Sequence, residues 1–256
     1  MKTYIVGNWK LNFTVGESSI YLHKIQKSLP IHKNLEVIIA PSVLALQPLS
    51  LQIDRKNLKL AAQNAFYRDF GAYSGEISFP QLRGVADYCL IGQPERRYLF
   101  HESDRDIRQK VSAALRNKIT PIIYLSETES DRAFGETHEL LRDQLLTALA
   151  DVDAEDLEKV ILAYDPLWAM SNSISSRYAT PDEVAETVAF LRKILAETYN
   201  KSISEKIPIL FGGHVSPSNV GGYLTIPGIN GVSFGASSLI LSEFIGIIET
   251  AKKVQS

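Results

Sequence analysis

Moving a proton on a small anionic molecule takes a base, a cation to offset negative charge, and backbone turns open enough to admit an anion. This sequence places such residues directly after short apolar runs. They are Asn8 and Lys10, Gln63-Asn64, Gln93-Pro94-Glu95, Ser126-Glu127, Asp165, Gly212-Gly213-His214 and Gly235-Ala236-Ser237. Carboxylates, a lysine and glycine-rich turns together suit proton transfer on a small anionic substrate. Nucleotide fingerprints are missing: no Gly-Lys-Ser/Thr phosphate loop occurs, and no glycine triplet opens the first helix.

The elements that would position these residues are legible as a repeat. Apolar runs fall at Tyr4–Val6, Val37–Ala40, Leu58–Ala62, Tyr88–Ile91, Pro121–Leu125, Val160–Tyr164, Ile207–Phe211 and Gly231–Phe234. Little polar alternation interrupts them, so they read as strands buried on both faces. The stretches between are long enough for crossover helices, which parallel strands require. Ser103 followed by Ile107, Val111, Ala114 and Leu115 predicts a capped helix with one apolar stripe. Thr180-Pro181-Asp182-Glu183 is a capping box leading into Val184, Val188, Leu191 and Leu195. Leu140, Leu141, Leu145 and Leu149 mark another helix. Such strand–helix units fit a closed (β/α)8 barrel, one domain over residues 1–256, better than an open doubly wound sheet, although counting alone leaves both available. In a barrel the chemistry lies at the C-terminal strand ends, where the polar residues above stand.

Composition narrows the classes. The 27 Lys+Arg and 29 Asp+Glu give a net charge of −2, without the basic excess that nucleic-acid binding needs. The lone cysteine, Cys89, excludes an intramolecular disulfide or a multi-cysteine metal site. No apolar run approaches a membrane span, and the opening apolar stretch is short for a signal peptide. The expectation is a soluble, cytoplasmic protein.

At the strand ends the sequence resembles the triosephosphate isomerase family, in order along nearly the whole chain. Gly7-Asn8-Trp9-Lys10-Leu11-Asn12 is similar to the family's opening motif, and Ala62-Gln63-Asn64 to its third strand. Gly71-Ala72-Tyr73-Ser74-Gly75-Glu76 is similar to its dimer loop. Ile91-Gly92-Gln93-Pro94-Glu95-Arg96-Arg97 corresponds to the segment of the catalytic histidine. Ala163-Tyr164-Asp165-Pro166-Leu167-Trp168-Ala169 corresponds to that of the catalytic glutamate and the start of the lid. Phe211-Gly212-Gly213-His214-Val215 and Phe234-Gly235-Ala236-Ser237 match the two phosphate-binding turns. The resemblance implies a (β/α)8 barrel, a homodimer, a place in glycolysis and gluconeogenesis, and no cofactor or metal. It puts Asn8, Lys10, Gln93 and Asp165 at the catalytic positions. Gly213, His214, Gly235, Ala236 and the lid's Ser171 fall at the phosphate end, and Ser74 and Glu95 at the dimer loop and its contact.

The departures bear on activity. Family chemistry uses a glutamate base, a neutral histidine electrophile and a closing loop. Here Gln93 takes the histidine position and Asp165 the glutamate position. A carboxamide can donate to a carbonyl but cannot pass a proton between two oxygens as imidazole does. The lid reads Met170-Ser171-Asn172-Ser173-Ile174 in place of a Gly-Thr-Gly-Lys type, and runs a few residues longer before Ala179-Thr180-Pro181. Phe211 and His214 replace a tyrosine and a serine whose hydroxyls latch the closed lid, and Ala236 replaces a glycine. The expectation is a family scaffold whose isomerisation of glyceraldehyde 3-phosphate and dihydroxyacetone phosphate is strongly impaired or lost. A dimeric barrel that only binds partners, or an isomerase redirected to another small anionic aldose or ketose, stands beside it.

Each residue also has a plainer reading. Lys10 is expected to line a pocket rather than stay solvated, and Asp165 to be a site carboxylate rather than a turn cap. Gln93 reads equally as a polar pocket residue and as an inert replacement. Glu95, with Arg96 and Arg97, reads as part of a structural charge network. His214 reads as a turn residue before it reads as an anion ligand or acid–base group. His23, His32, His101 and His138 read as solvated, Cys89 as a small core residue, and Trp9 and Trp168 as hinge packing.

Overall fold

A computed structural model describes residues 2–30, 33–170 and 177–254. Its strands are β1 (Thr3–Asn8), β2 (Leu35–Ala40), β3 (Lys59–Ala62), β4 (Tyr88–Ile91), β5 (Thr120–Leu125), β6 (Ile161–Tyr164), β7 (Ile209–Gly212) and β8 (Gly231–Phe234). Each pairs in parallel with the next, and β8 pairs with β1, which closes the barrel. The closing seam needs a residue without a side chain: a Cβ on Gly231, at φ 153°, would lie 2.0 Å from the Tyr4 carbonyl oxygen.

The strands are apolar along their length because both faces are buried. All six residues of β2 are buried. Val6, Ile38, Leu90, Ile122 and Leu210 fill the barrel interior, while Ile5, Val37, Ile39, Cys89 and Ile91 face the helices. Helix Asp104–Arg116 starts at Ser103, whose hydroxyl accepts from the Asp106 amide, and it buries Ile107, Val111 and Ala114. Helix Pro181–Thr198 starts with the same reciprocal box between Thr180 and Glu183 and buries Val184, Val188, Leu191 and Leu195. Helix Thr137–Leu149 buries Leu141, Leu145 and Leu149.

Some strand bounds differ from the sequence expectation. Ile207 is buried but caps helix Lys201–Lys206, and Pro208 stands between it and β7. Leu58 and Val160 belong to the turns entering their strands, bonding back to Asp54 and Leu157. His23, His101 and His138 are exposed, and His138 stacks on Phe190; His32 lies outside the described residues. Among the described residues no helix is long and apolar enough to cross a membrane, and no cluster of His, Cys, Asp and Glu is placed to hold a metal ion.

Candidate active site

The C-terminal strand ends enclose a cavity of about 220 Å³, lined among others by Asn8, Lys10, Gln93, Glu95 and Asp165. That is smaller than the pockets that take drug-sized ligands, so it suits a small metabolite.

Lys10 enters from the end of β1. Its backbone sits at φ 50°, a left-handed conformation that costs a residue with a Cβ, and hydrogen bonds hold it there. The Lys10 amide donates to Asn8 Oδ1 (3.0 Å), and Gln63 Nε2 donates to the Lys10 carbonyl (2.9 Å) and the Ala40 carbonyl (2.9 Å). Asn8 and Gln63 thus aim the lysine. Its ammonium lies 3.2 Å from Glu95 Oε1.

Gln93 follows β4 and precedes Pro94, the first residue of the short helical turn Pro94–Tyr98, so its backbone is extended. It is 4% exposed. Its amide nitrogen donates to the Gln63 carbonyl at 2.7 Å, while Oε1 has no hydrogen-bond partner. Turning the amide round would set two oxygens against each other at that distance. Oε1 is therefore the atom with no partner at all, while Nε2 spends one of its two hydrogens on Gln63. Around it Arg96 pairs with Glu102 and Arg97 with Asp104, while Glu95 pairs with the site lysine.

Asp165 directly follows β6, its amide bonded to the Leu125 carbonyl (2.9 Å) and Pro166 following it. The carboxylate packs on the backbone of Gly212, where an added Cβ would lie 2.5 Å from Asp165 Cγ. Asp165 is 9% exposed and its Oδ1 lacks a partner. Burial pushes its carboxyl up to about 7, with Lys10 opposing the rise and Glu95 adding to it. A base poised at neutral pH is suited to taking a proton from carbon.

Behind these groups, Glu127 is fully buried and gathers donors. It accepts from Tyr164 Oη (2.7 Å), Arg132 Nη1 (3.1 Å) and Trp168 Nε1 (3.2 Å), and also from the Thr137 hydroxyl. The network pins the tryptophan after β6, so Glu127 positions structure and does not line the cavity. Arg177 lies 3.9 Å over the Trp168 ring and pairs with Glu183, whose carboxyl it holds down at about 2.

At the other end Gly213, Gly235 and Ala236 line the cavity. Gly213 sits at φ 131° between the Phe211 ring and the Ala169 carbonyl, a place that tolerates no side chain. Ser237 Oγ ties the eighth turn to the Val215 carbonyl of the seventh (2.8 Å). His214 is not among the lining residues; its ring lies 4.6 Å from that of Tyr178 and its amide bonds the Ala169 carbonyl. Ser74 is exposed on its loop, and Ser171 lies outside the described residues.

The sequence reading missed Tyr124 and Ser233, which also line the cavity. They sit inside runs taken as plain core. The available signal was that hydroxyls within strands buried on both faces must find partners.

Comparison with known proteins decides the family. A triosephosphate isomerase family profile matches residues 3–251. Triosephosphate isomerase of Ligilactobacillus salivarius (strain UCC118) is 34% identical over 250 residues, covering 97% of this chain and 98% of that protein. The enzyme of Lactiplantibacillus plantarum (strain ATCC BAA-793 / NCIMB 8826 / WCFS1) matches with the same identity and coverage. The chain belongs to the triosephosphate isomerase family. The crystal structure of triosephosphate isomerase from Bartonella henselae superposes with a TM-score of 0.87 at 32% identity, over 98% of this chain and 99% of that one. The family match runs from β1 to the final helix, so Gln93 and Asp165 fall within it.

Proposed function

We propose that this triosephosphate isomerase homologue keeps the base of an aldose–ketose isomerase and has lost its proton-shuttling electrophile. Interconversion of glyceraldehyde 3-phosphate and dihydroxyacetone phosphate is then strongly impaired. The observation that carries the reading is Gln93: a buried carboxamide stands at the family's histidine position, its nitrogen donating to the Gln63 carbonyl, and it has no group that can both give and take a proton. Asp165 would take the proton from the carbon beside the carbonyl, with Lys10 offsetting the negative charge that develops. Gly213 and Gly235 would offer backbone to the phosphate, and the Cβ of Ala236 would hold it off.

The magnitudes set the expected loss. Asp165 is one methylene shorter than glutamate, and a misplacement of about 1 Å can cost ~10²-fold. Losing acid–base help at Gln93 costs a further ~10²–10⁴-fold, without the two losses adding in full. A coupled assay on the purified protein tests this: kcat/KM near ~10⁷–10⁸ M⁻¹s⁻¹, toward the upper end for enzymes, overturns it.

The reading includes a homodimer in the cytoplasm. Leu11 (99% exposed) and Phe100 line an apolar groove of about 710 Å³ that also reaches Lys10 and Glu95, and Phe70 is 90% exposed on the loop carrying Ser74. That loop of a second copy would fill the groove and support Lys10. Light scattering at micromolar protein should give twice the chain mass, and a monomeric mass rejects the dimer.

A further inference from the structure

The cavity holds a polar pair that the reaction above does not use. Tyr124 on β5 and Ser233 on β8 both face the barrel interior. Tyr124 belongs to the interior cluster and stands in register with Ala163, while Ser233 is in register with Val6 and Gly212. The ring thus crosses the barrel beside a small neighbour, and its Oη meets Ser233 Oγ at 2.7 Å. The residues are 1% and 3% exposed, and both line the cavity that holds Asp165 and Gln93.

Hydrogen counting gives the pair a function. Two hydroxyls carry two hydrogens, and the bond between them uses one. Among the described residues no partner takes the other. The unpartnered buried atoms of Asp165 and Gln93 in the same cavity, Oδ1 and Oε1, are acceptors of hydrogen bonds when the carboxyl is ionised. A ligand oxygen that gains negative charge needs a donor, and Gln93 has already spent one of its two amide hydrogens on the Gln63 carbonyl. Burial raises the Tyr124 phenol well above its ordinary value, so it keeps its proton at neutral pH.

We infer that the Tyr124–Ser233 pair is the oxyanion donor of this cavity, hydrogen-bonding the ligand's carbonyl oxygen as that oxygen becomes an enediolate. The ligand is a small anionic carbonyl compound, so the inference rests on the function proposed above. In the step it serves, the carbon-bound proton passes to the Asp165 carboxylate. The C–H electron pair forms the new C=C bond, and the carbonyl π pair moves onto oxygen. The hydroxyl pair stabilises that oxygen and keeps both its own protons.

The test removes both hydroxyls at once in the Tyr124→Phe/Ser233→Ala double variant. Neither change adds an atom, and losing both partners together leaves no orphaned polar group, so the fold should keep its stability. Wild type and variant are titrated calorimetrically with 2-phosphoglycolate, whose carboxylate imitates the charged enediolate, and with inorganic phosphate. Phosphoglycolate should bind the variant at least ~10-fold more weakly, the scale of one lost hydrogen bond to a charged group. Phosphate affinity should stay within ~2-fold, because the pair does not serve the phosphate end. Equal phosphoglycolate affinity in the two proteins overturns the inference and leaves the proposed function standing. A matching loss for both ligands also overturns it, because the pair is then only a staple between β5 and β8. If wild type binds no phosphoglycolate at millimolar concentration, the proposed function fails and takes this inference with it.

Discussion

Replacing Asp165 by asparagine should stabilise the protein at pH 8 and leave it nearly unchanged at pH 4.5. The carboxyl is buried and titrates at about 7, while in the unfolded chain it returns to its ordinary 3.8. Between those values the native state holds a proton that the unfolded state has released. Stability therefore falls as pH rises through that window, and the loss is complete above about pH 7. A gap of roughly three pKa units corresponds to about 4 kcal/mol. Structural relaxation and water entry around the ionised group reduce this, so ~2–4 kcal/mol is the expected range. Asparagine keeps the shape and cannot ionise, so the variant escapes the penalty. Carboxyls common to both proteins, such as Glu183 held low by Arg177, cancel in the comparison.

Urea unfolding followed by circular dichroism at both pH values gives the difference directly. Protein concentration is held fixed because association would contribute to stability. The two proteins should agree within ~1 kcal/mol at pH 4.5, and the variant should lead by ~2–4 kcal/mol at pH 8. That lead is worth roughly 5–15 °C in Tm for a chain of this size. Residual isomerisation by wild type should rise with pH through about 7 as the same group ionises. A stability difference that stays constant from pH 4.5 to pH 8 refutes the argument, since the carboxyl would then be hydrated and titrating normally.

Gly212→Ala puts a Cβ 2.5 Å from Asp165 Cγ, so the carboxylate must move. Any residual rate should fall at least ~10-fold with the circular dichroism spectrum unchanged, and an unaltered rate would show that the carboxylate's seat is unimportant. Gln93→His combined with Asp165→Glu should raise turnover in the coupled assay by ~10²-fold or more; no gain would place the impairment in the lid or in the Gln63 carbonyl that competes for the imidazole hydrogen. Ala236→Gly lets the eighth turn approach a phosphate more closely and should tighten phosphoglycolate binding several-fold. Unchanged affinity would mean that this turn is not the phosphate site.

The barrel was legible because each strand is buried on both faces and helices such as Asp104–Arg116 and Pro181–Thr198 begin with a visible cap. Periodicity reports burial, and burial in a closed barrel is nearly uniform along a strand, as the six buried residues of β2 illustrate. The same uniformity hid Tyr124 and Ser233. A tyrosine in the run Pro121–Leu125 looks like core, and its partner lies 109 residues away on a strand reached only when the barrel closes. Strand starts were misplaced where a buried apolar residue closes a turn, as at Leu58, Val160 and Ile207, because apolar character alone does not separate a buried turn from a buried strand.

The orientation of Gln93 shows the limit most plainly. A glutamine where the family resemblance expects histidine has a donor and an acceptor at one end, and sequence gives no preference between them. The choice is made by the Gln63 carbonyl, which takes the amide nitrogen at 2.7 Å. Gln63 is itself held by its own side chain, which donates to the carbonyls of Lys10 and Ala40. The hydrogen bonds that keep Lys10 in its left-handed conformation thus also place the carbonyl that takes one of the two Gln93 amide hydrogens. Changing Gln93 alone to histidine would meet that same carbonyl. A neutral imidazole has one N–H, so the histidine acts as an electrophile only with that hydrogen facing the ligand and not the Gln63 carbonyl. The geometry that aims the lysine therefore competes for the donor at position 93, while a hydroxyl pair on β5 and β8 stands outside that competition and is free to donate.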